Sequence, residues 1–230
     1  MNVMYRSIVC LLLVPLSLIA LPPTWEEFKQ ETFPTLRFIE GWCSTEKAEK
    51  MMDLIHAIRP LVCVEIGVFG GSSIFPTARA LKYQGEAKVY AIDAWSSDVC
   101  LQGYSPGNEH YDWWKNKTNL NHIFLQFKTM LYGYQLKDNC VIMRMTSGHA
   151  VSLFEDDSID ILHIDGNHSE EVSYNDVILF FPKVKPGGYI WINDVHWPSI
   201  RKALLYLKKH CTLDDKRSTT TCFLFQKKEG

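Results

Sequence analysis

Apolar residues along this chain fall into short β-branched runs separated by stretches with helical spacing. Leu61 to Val68 (LVCVEIGV), Lys88 to Trp95 (KVYAIDAW), Cys140 to Thr146 and Ile159 to Asp165 (IDILHID) predict four buried strands. Ser44 or Thr45 can cap a helix whose apolar face is Met51, Ile55 and Ile58, closed by Pro60. Further helices are expected over Ser72 to Gln84, around Ala150 to Phe154, and over Glu170 to Val184, where two acids occupy the first turn. Pro76 is tolerable near the first turn of its helix. Pro186-Gly187-Gly188 predicts a turn into a fifth strand, Tyr189 to Asp194. Ser199 caps a last helix with Ile200, Leu204 and Leu207 on one face. Two closing strands follow, around Cys211 to Asp214 and Thr221 to Gln226. Strands alternating with helices define an α/β domain: an open, mostly parallel sheet covered on both faces. From Ser96 to Asn139 the rhythm breaks into an aromatic-rich stretch containing Trp113 and Trp114, expected to hold one or two helices. It is either a substrate lid or aromatic cover for the sheet edge.

Composition narrows the class of partner. The chain has 230 residues, 47% of them hydrophobic and 22% charged, which suits one globular domain rather than a disordered chain. Lys plus Arg number 24 and Asp plus Glu 26, so no basic excess exists for gripping nucleic acid. Seven cysteines show no CxxC or metal-finger spacing. The head departs from the average, because Ser7 to Ala20 is apolar and uncharged behind Arg6. That run is short for a membrane span and suits the core of an export signal, although Leu18 stands where a cleavage site favours a small residue. The expected organisation is a signal-like or anchoring segment over 1–20, a helical lead-in over 21–60, and the main domain over 61–230. Membrane contact is expected only through residues 7–20, if they are retained.

Ligands of open α/β sheets bind at the carboxyl ends of the strands, and the chemistry-bearing residues cluster there. Glu65-Ile66-Gly67-Val68-Phe69-Gly70-Gly71-Ser72-Ser73 leaves the first strand and enters a helix. Gly67 permits a sharp turn, Gly70 and Gly71 permit close approach of a ligand, and the helix N-terminus with Ser72 and Ser73 presents donors to a negative group. A tight turn of any α/β protein would look similar, and the spacing matches neither GxGxxG nor a P-loop. Asp93, at the second strand's end, is placed to accept hydrogen bonds from both hydroxyls of an adenosine ribose. Asp165, Asn193 and Asp194, at two further strand ends, offer three oxygens suited to one face of an octahedral site for a hard cation such as magnesium. His168 could then take a proton from a bound hydroxyl. Alternatively, Asp165 caps the next helix and His168 is a surface residue. His163, inside the fourth strand, reads as buried and hydrogen-bonded, and His196 as a reserve base or ligand.

These residues resemble a known group. The chain is similar to class I S-adenosylmethionine-dependent methyltransferases, of the branch containing catechol O-methyltransferase and the macrocin-type sugar O-methyltransferases. The motif acid–x–Gly–x–aromatic–x–Gly–x–Ser stands at Glu65, Gly67, Phe69, Gly71 and Ser73. The resemblance covers roughly Leu61 to His196. It implies a Rossmann-like, doubly wound, seven-stranded sheet with an antiparallel last strand. It implies that Gly67 and Ser73 lie near the methionine end of the cofactor, Asp93 on the ribose, and Ser147 near the adenine. It further implies Asp165, Asn193 and Asp194 as metal ligands and His168 as general base. Two departures stand out: Asn193-Asp194 replaces the two acids usual in the sugar enzymes, and the 96–139 segment matches no assignable acceptor pocket.

The expected activity is metal-assisted O-methylation of a hydroxyl on a small molecule or sugar. A nicotinamide-dependent oxidoreductase and an exported non-catalytic binding protein are the alternatives. The head conflicts with the chemistry, since S-adenosylmethionine is made in the cytoplasm. Asn116-Lys117-Thr118 and Asn167-His168-Ser169 are both N-glycosylation sequons, and a glycan on Asn167 would block the expected site. The domain is therefore expected either to avoid a glycosylating compartment or to remain on the cytoplasmic side of an anchor.

Overall fold

The computed structural model describes residues 23–229. The apolar 1–20 segment, and with it the expectation of a signal or anchor, lies outside the described residues. Among those described, no helix is long and apolar enough to cross a membrane.

Seven strands form one sheet: β1 (Val62–Ile66), β2 (Lys88–Asp93), β3 (Cys140–Arg144), β4 (Ile159–Ile164), β5 (Val184–Asn193), β6 (Cys211–Leu213) and β7 (Cys222–Lys227). Their order is β3-β2-β1-β4-β5-β7-β6. β1 to β5 run parallel, and β7 is antiparallel to both its neighbours, as the family resemblance implied. The order reverses between β1 and β4, so their carboxyl ends flank a crevice.

Side chains alternate across each strand and are buried on both faces. Cys63, Ile161 and Trp191 face one apolar cluster, while Val64, Leu162, Ile190 and Ile192 face the other. The first cluster is roofed by α2 (Thr45–Ile58), α3 (Ile74–Gln84) and α6 (Leu120–Gly133). The second is roofed by α7 (Ser147–Ala150), α8 (Glu170–Phe180) and α9 (Arg201–His210). α1 (Trp25–Thr32) opens the described chain behind a Thr24–Glu27 capping box.

Several boundaries differ from the sequence pattern. Pro186-Gly187-Gly188 lies inside β5 rather than in a turn before it. The pairing register with β4 shifts there, and a bulge accommodates proline and a glycine at φ 75° that a regular ladder would exclude. α8 ends at Phe180, because Pro182 lacks the N–H to continue it, and a 3-10 turn covers Phe181–Lys183. The helix expected near Ala150 to Phe154 begins earlier, at Ser147, where the Thr146 hydroxyl caps α7, and a 3-10 turn continues it over Val151–Leu153. The aromatic segment holds three helices: α4 (Ser97–Cys100), α5 (Glu109–Asn116) and α6. α6 buries Leu120, Ile123, Phe127 and Leu131, whereas α5 buries nothing fully.

Candidate active site

The carboxyl ends of the parallel strands surround a cleft of about 960 Å³, lined among others by Gly67, Phe69, Asp93, Ser147, Asp165, His168, Asn193 and Asp194. Most of the residues singled out from sequence therefore share one cavity. Glu65, Gly71 and Ser73 do not line it. Glu65 is 1% exposed, its Oε1 accepts a hydrogen bond from Ser73 Oγ, and its Oε2 lies 3.0 Å from His163 Nδ1 without hydrogen-bond alignment. This trio braces the glycine turn from beneath instead of facing the cavity.

The glycines serve chain-on-chain contact more than ligand approach. Gly67 has φ 84°, and a Cβ there would strike the Asp165 carbonyl. A Cβ at Gly70 would meet Glu40, and one at Gly71 would meet Phe127. α3 starts at Ile74, so the two serines precede it, and both are occupied: Ser73 by Glu65, and Ser72 by the Cys43 N–H at 3.2 Å. The two hydroxyls expected to face a ligand are thus turned to the protein instead, and the turn also docks residues 40–43.

Asp93 shapes the same turn. Its Oδ2 accepts from the Val68 and Phe69 N–H groups at 3.0 and 2.9 Å, and its Oδ1 from Trp95 at 2.7 Å. Burial pushes its pKa up, against the pull of these three donors. A carboxylate offers about four lone-pair sites, so one remains for a ribose hydroxyl, where the sequence suggested two. Across the cavity, Ser147 Oγ donates to Asp176 Oδ1 at 2.5 Å. Asp176 is 3% exposed, and burial raises its pKa to about 6 despite that bond.

Lys47 is the main residue that sequence reasoning missed. It projects from α2 beneath the ends of β4 and β5, with its side chain 5% exposed. Its Nζ lies 2.7 Å from Asn193 Oδ1 and 3.2 Å from Asp165 Oδ2. Burial alone would lower its pKa, but the Asp165 carboxylate, acting together with Cys222, Cys43 and Glu65 around it, outweighs this and holds it above the ordinary lysine value. At 3.2 Å the Coulombic attraction to Asp165 is about 5 kcal/mol for an effective dielectric of about 20. One signal was available: Lys47 shares a helical stripe with the apolar Met51, Leu54 and Ile58, which puts its stem on the face that packs into the domain.

His168 Nε2 lies 2.7 Å from Asp194 Oδ2 and 3.9 Å from Asp165 Oδ1. Asp194 adopts φ 52°, a left-handed conformation that Asp tolerates better than most residues. Although burial raises the Asp194 pKa, contact with His168, joined by the charges of Lys47 and His196, outweighs this and leaves it lowered. At the start of α8 Asn167 Oδ1, not Asp165, accepts the Ser169 N–H, and His168 lines the cleft.

The three expected metal ligands do not present a common open face. Asn193 has its oxygen on Lys47, Asp165 shares an oxygen with the same ammonium, and Asp194 faces His168. Asp165, His168 and Asp194 do bring ligand atoms within 4.8 Å of one another. Coordination there would tie up the His168 imidazole and set a second cation beside Lys47. The donor set as arranged does not fit the expected metal.

Two aromatic walls flank the cavity. Trp42 stacks on Phe69 at 5.0 Å, and Trp113 and Trp114 of α5 close the cluster. Opposite, Trp197 lies between His110 and His168 at 4.6 and 4.7 Å.

A sheet in this order with a reversed seventh strand, a glycine turn after β1 and an acid after β2 defines a class I methyltransferase, the S-adenosylmethionine-dependent type. The chain belongs to the methyltransferase domain family, whose model matches residues 64–195. That membership sets the nicotinamide oxidoreductase reading aside. A curated relative, the uncharacterized protein y4gI of Sinorhizobium fredii, is 28% identical over 144 residues, 62% of this chain. The match spans only 14% of that relative's length. Among solved structures, the O-methyltransferase NovP is similar with a TM-score of 0.63 and 18% identity over 81% of both chains. A putative O-methyltransferase from Klebsiella pneumoniae gives 0.61 and 13% identity, covering 91% of this chain and 93% of that one. The Bacillus cereus O-methyltransferase, in complex with SAH, gives 0.59 and 13% identity, covering 92% and 94%. These likenesses concern the fold.

Proposed function

We propose that this protein transfers a methyl group from S-adenosylmethionine to a hydroxyl oxygen of a small molecule or sugar, with His168 as general base. The single observation that carries this reading is the 2.7 Å contact between His168 Nε2 and Asp194 in the wall of the cleft. A carboxylate only accepts, so it favours the proton on Nε2 and leaves Nδ1 unprotonated for the acceptor hydroxyl. As the hydroxyl proton passes to Nδ1, the oxygen forms its bond to the methyl carbon. When bound, S-adenosylmethionine supplies that carbon, and the S–CH3 electron pair returns to sulfur to leave S-adenosylhomocysteine. Asp194 then stabilises the imidazolium until solvent removes the proton.

The remaining residues bind and orient. The Gly67–Phe69 turn, held by Asp93, forms the floor for the methionine and ribose portions, with one carboxylate lone pair left for a ribose hydroxyl. Ser147 and Asp176, hydrogen-bonded to each other in the cleft wall, are assigned to the adenine. The two aromatic walls exclude water and give an acceptor ring or sugar face a surface to stack on. The bound SAH of the Bacillus cereus relative supports the same cofactor here. We also place the domain where S-adenosylmethionine is made, on the cytoplasmic side of any membrane its head engages.

Calorimetry with S-adenosylmethionine, S-adenosylhomocysteine and NAD tests the cofactor. Methyl-labelled cofactor offered with panels of sugars, polyols and phenols tests the transfer. His168→Ala is expected to keep cofactor affinity and lose turnover by about a hundredfold to ten-thousandfold. Tight NAD binding without a response to S-adenosylmethionine would overturn the reading, as would turnover indifferent to His168→Ala.

A further inference from the structure

We infer that Lys47 is the resident cation of this active site: its ammonium takes the place of a divalent metal ion and makes the site metal-independent. The inference rests on the methyltransferase reading above and specifies how its acceptor site is charged. Three observations carry it. Lys47 is buried, and both of its partners, Asp165 and Asn193, line the cleft although Lys47 itself does not. The ammonium thus neutralises the strand ends from beneath, leaving the cavity side free for substrate.

The second observation concerns direction. An ammonium has three donors and no acceptor, so Asn193 must turn its oxygen toward Lys47, at 2.7 Å. Its amide nitrogen then points the other way and has no hydrogen-bond partner among the described residues. A residue placed to be a metal ligand is converted into a donor. In that orientation Asn193 Nδ2 can hold an oxygen of the acceptor beside the base, for instance a neighbouring hydroxyl. The third observation is that Asp194, the remaining oxygen donor, is engaged with His168. Orientation of the acceptor passes from a metal ion to Asn193, and deprotonation rests on His168 alone. Lys47 is accordingly a positioning residue; it reaches the acceptor only through Asn193 and Asp165.

The test is a Mn2+ titration of the full-length protein, loaded with S-adenosylhomocysteine, followed by electron paramagnetic resonance of the free ion. The wild type is expected to leave the free-ion signal undiminished up to millimolar Mn2+. Lys47→Ala, which releases Asp165 and Asn193, is expected to remove one equivalent of free Mn2+. One-to-one binding by the wild type that Asp194→Ala abolishes would overturn the inference. So would a folded Lys47→Ala protein that gains no site. The wild-type arm stands even if Lys47→Ala fails to fold. Calorimetric binding of S-adenosylhomocysteine to the same samples reports separately on the methyltransferase reading, so failure of one is distinguishable from failure of the other.

Discussion

His168 and Asp194 meet across the ends of β4 and β5, with Nε2 2.7 Å from Oδ2. In the proposed mechanism the pair sets the imidazole tautomer, leaving the ring nitrogen away from the carboxylate to accept a proton. Asp194→Asn keeps the size of the side chain but allows it to donate to Nε2, which pushes the proton to Nδ1. Turnover is expected to fall by about a hundredfold or more while cofactor affinity holds. Single-turnover kinetics beside calorimetry check this, and near-normal turnover in Asp194→Asn would remove the pair from the mechanism.

Asp176 supplies a pH-dependent stability. Its folded pKa, about 6, exceeds that of an unfolded aspartate, so between about pH 4 and 6 the folded state binds more protons than the unfolded one. Stability contributed by the protonated form is complete below that window and is lost as pH rises through it, at a cost of about 3 kcal/mol or less. Asp176→Asn keeps an acceptor for Ser147 and cannot ionise. It is expected to match the wild type near pH 4 and to be the more stable protein at pH 8. Urea unfolding at both pH values measures the difference. A gap independent of pH would exclude Asp176 as its source.

Gly67 joins two strand ends that no side chain can separate. At φ 84°, with the Asp165 carbonyl against its α-carbon, alanine would meet backbone strain and a main-chain clash together. Gly67→Ala is expected to lower stability by more than about 1 kcal/mol and to shift Asp165, so that cofactor binding suffers as well. Gly85→Ala is the control, since its φ is also positive, at 126°, but nothing lies within 4 Å of an added Cβ. Comparison of melting temperature and cofactor affinity in the two variants separates strain from clash.

Asn167 is a tether as well as a sequon residue. Its Nδ2 donates to the Cys100 and Gln102 carbonyls at 3.0 and 2.9 Å, tying the segment after β2 to the end of β4. A glycan on that nitrogen would disrupt these bonds inside the cleft, whereas Asn116 is exposed at the end of α5. Active protein from a glycosylating host is expected to be unmodified at Asn167 by mass spectrometry. A glycan at this position on active protein would refute the site assignment. Asn167→Ala is expected to cost about 1–3 kcal/mol and to expose the 101–108 segment to proteolysis.

Much of this architecture was legible along the chain. The runs around Val64, Ala91, Ile142, Leu162 and Ile190 had to be strands buried on both faces, because they are apolar without a polar alternate side. The positions of Gly67, Asp93, Asp165 and His168 at strand ends followed from that alternation, and all four line the cleft. Several strands end a residue or two before their apolar run does, because the run continues into the turn. At Pro186-Gly187-Gly188 local turn chemistry was overridden by a bulge against β4.

What the chain order determined is the set of elements and which residues leave them toward the cleft, since periodicity and turn residues act locally. What only the tertiary structure decided is how those residues are charged and oriented. Lys47 reaches Asp165 and Asn193 across 118 and 146 positions, and no local pattern encodes that meeting. Likewise Asp93 spends most of its lone pairs on the glycine turn, and Glu65 faces inward to Ser73. A carboxylate or amide acquires its role from the donors that burial leaves beside it. That pairing is set by how α2 docks on the sheet rather than by the residues on either side.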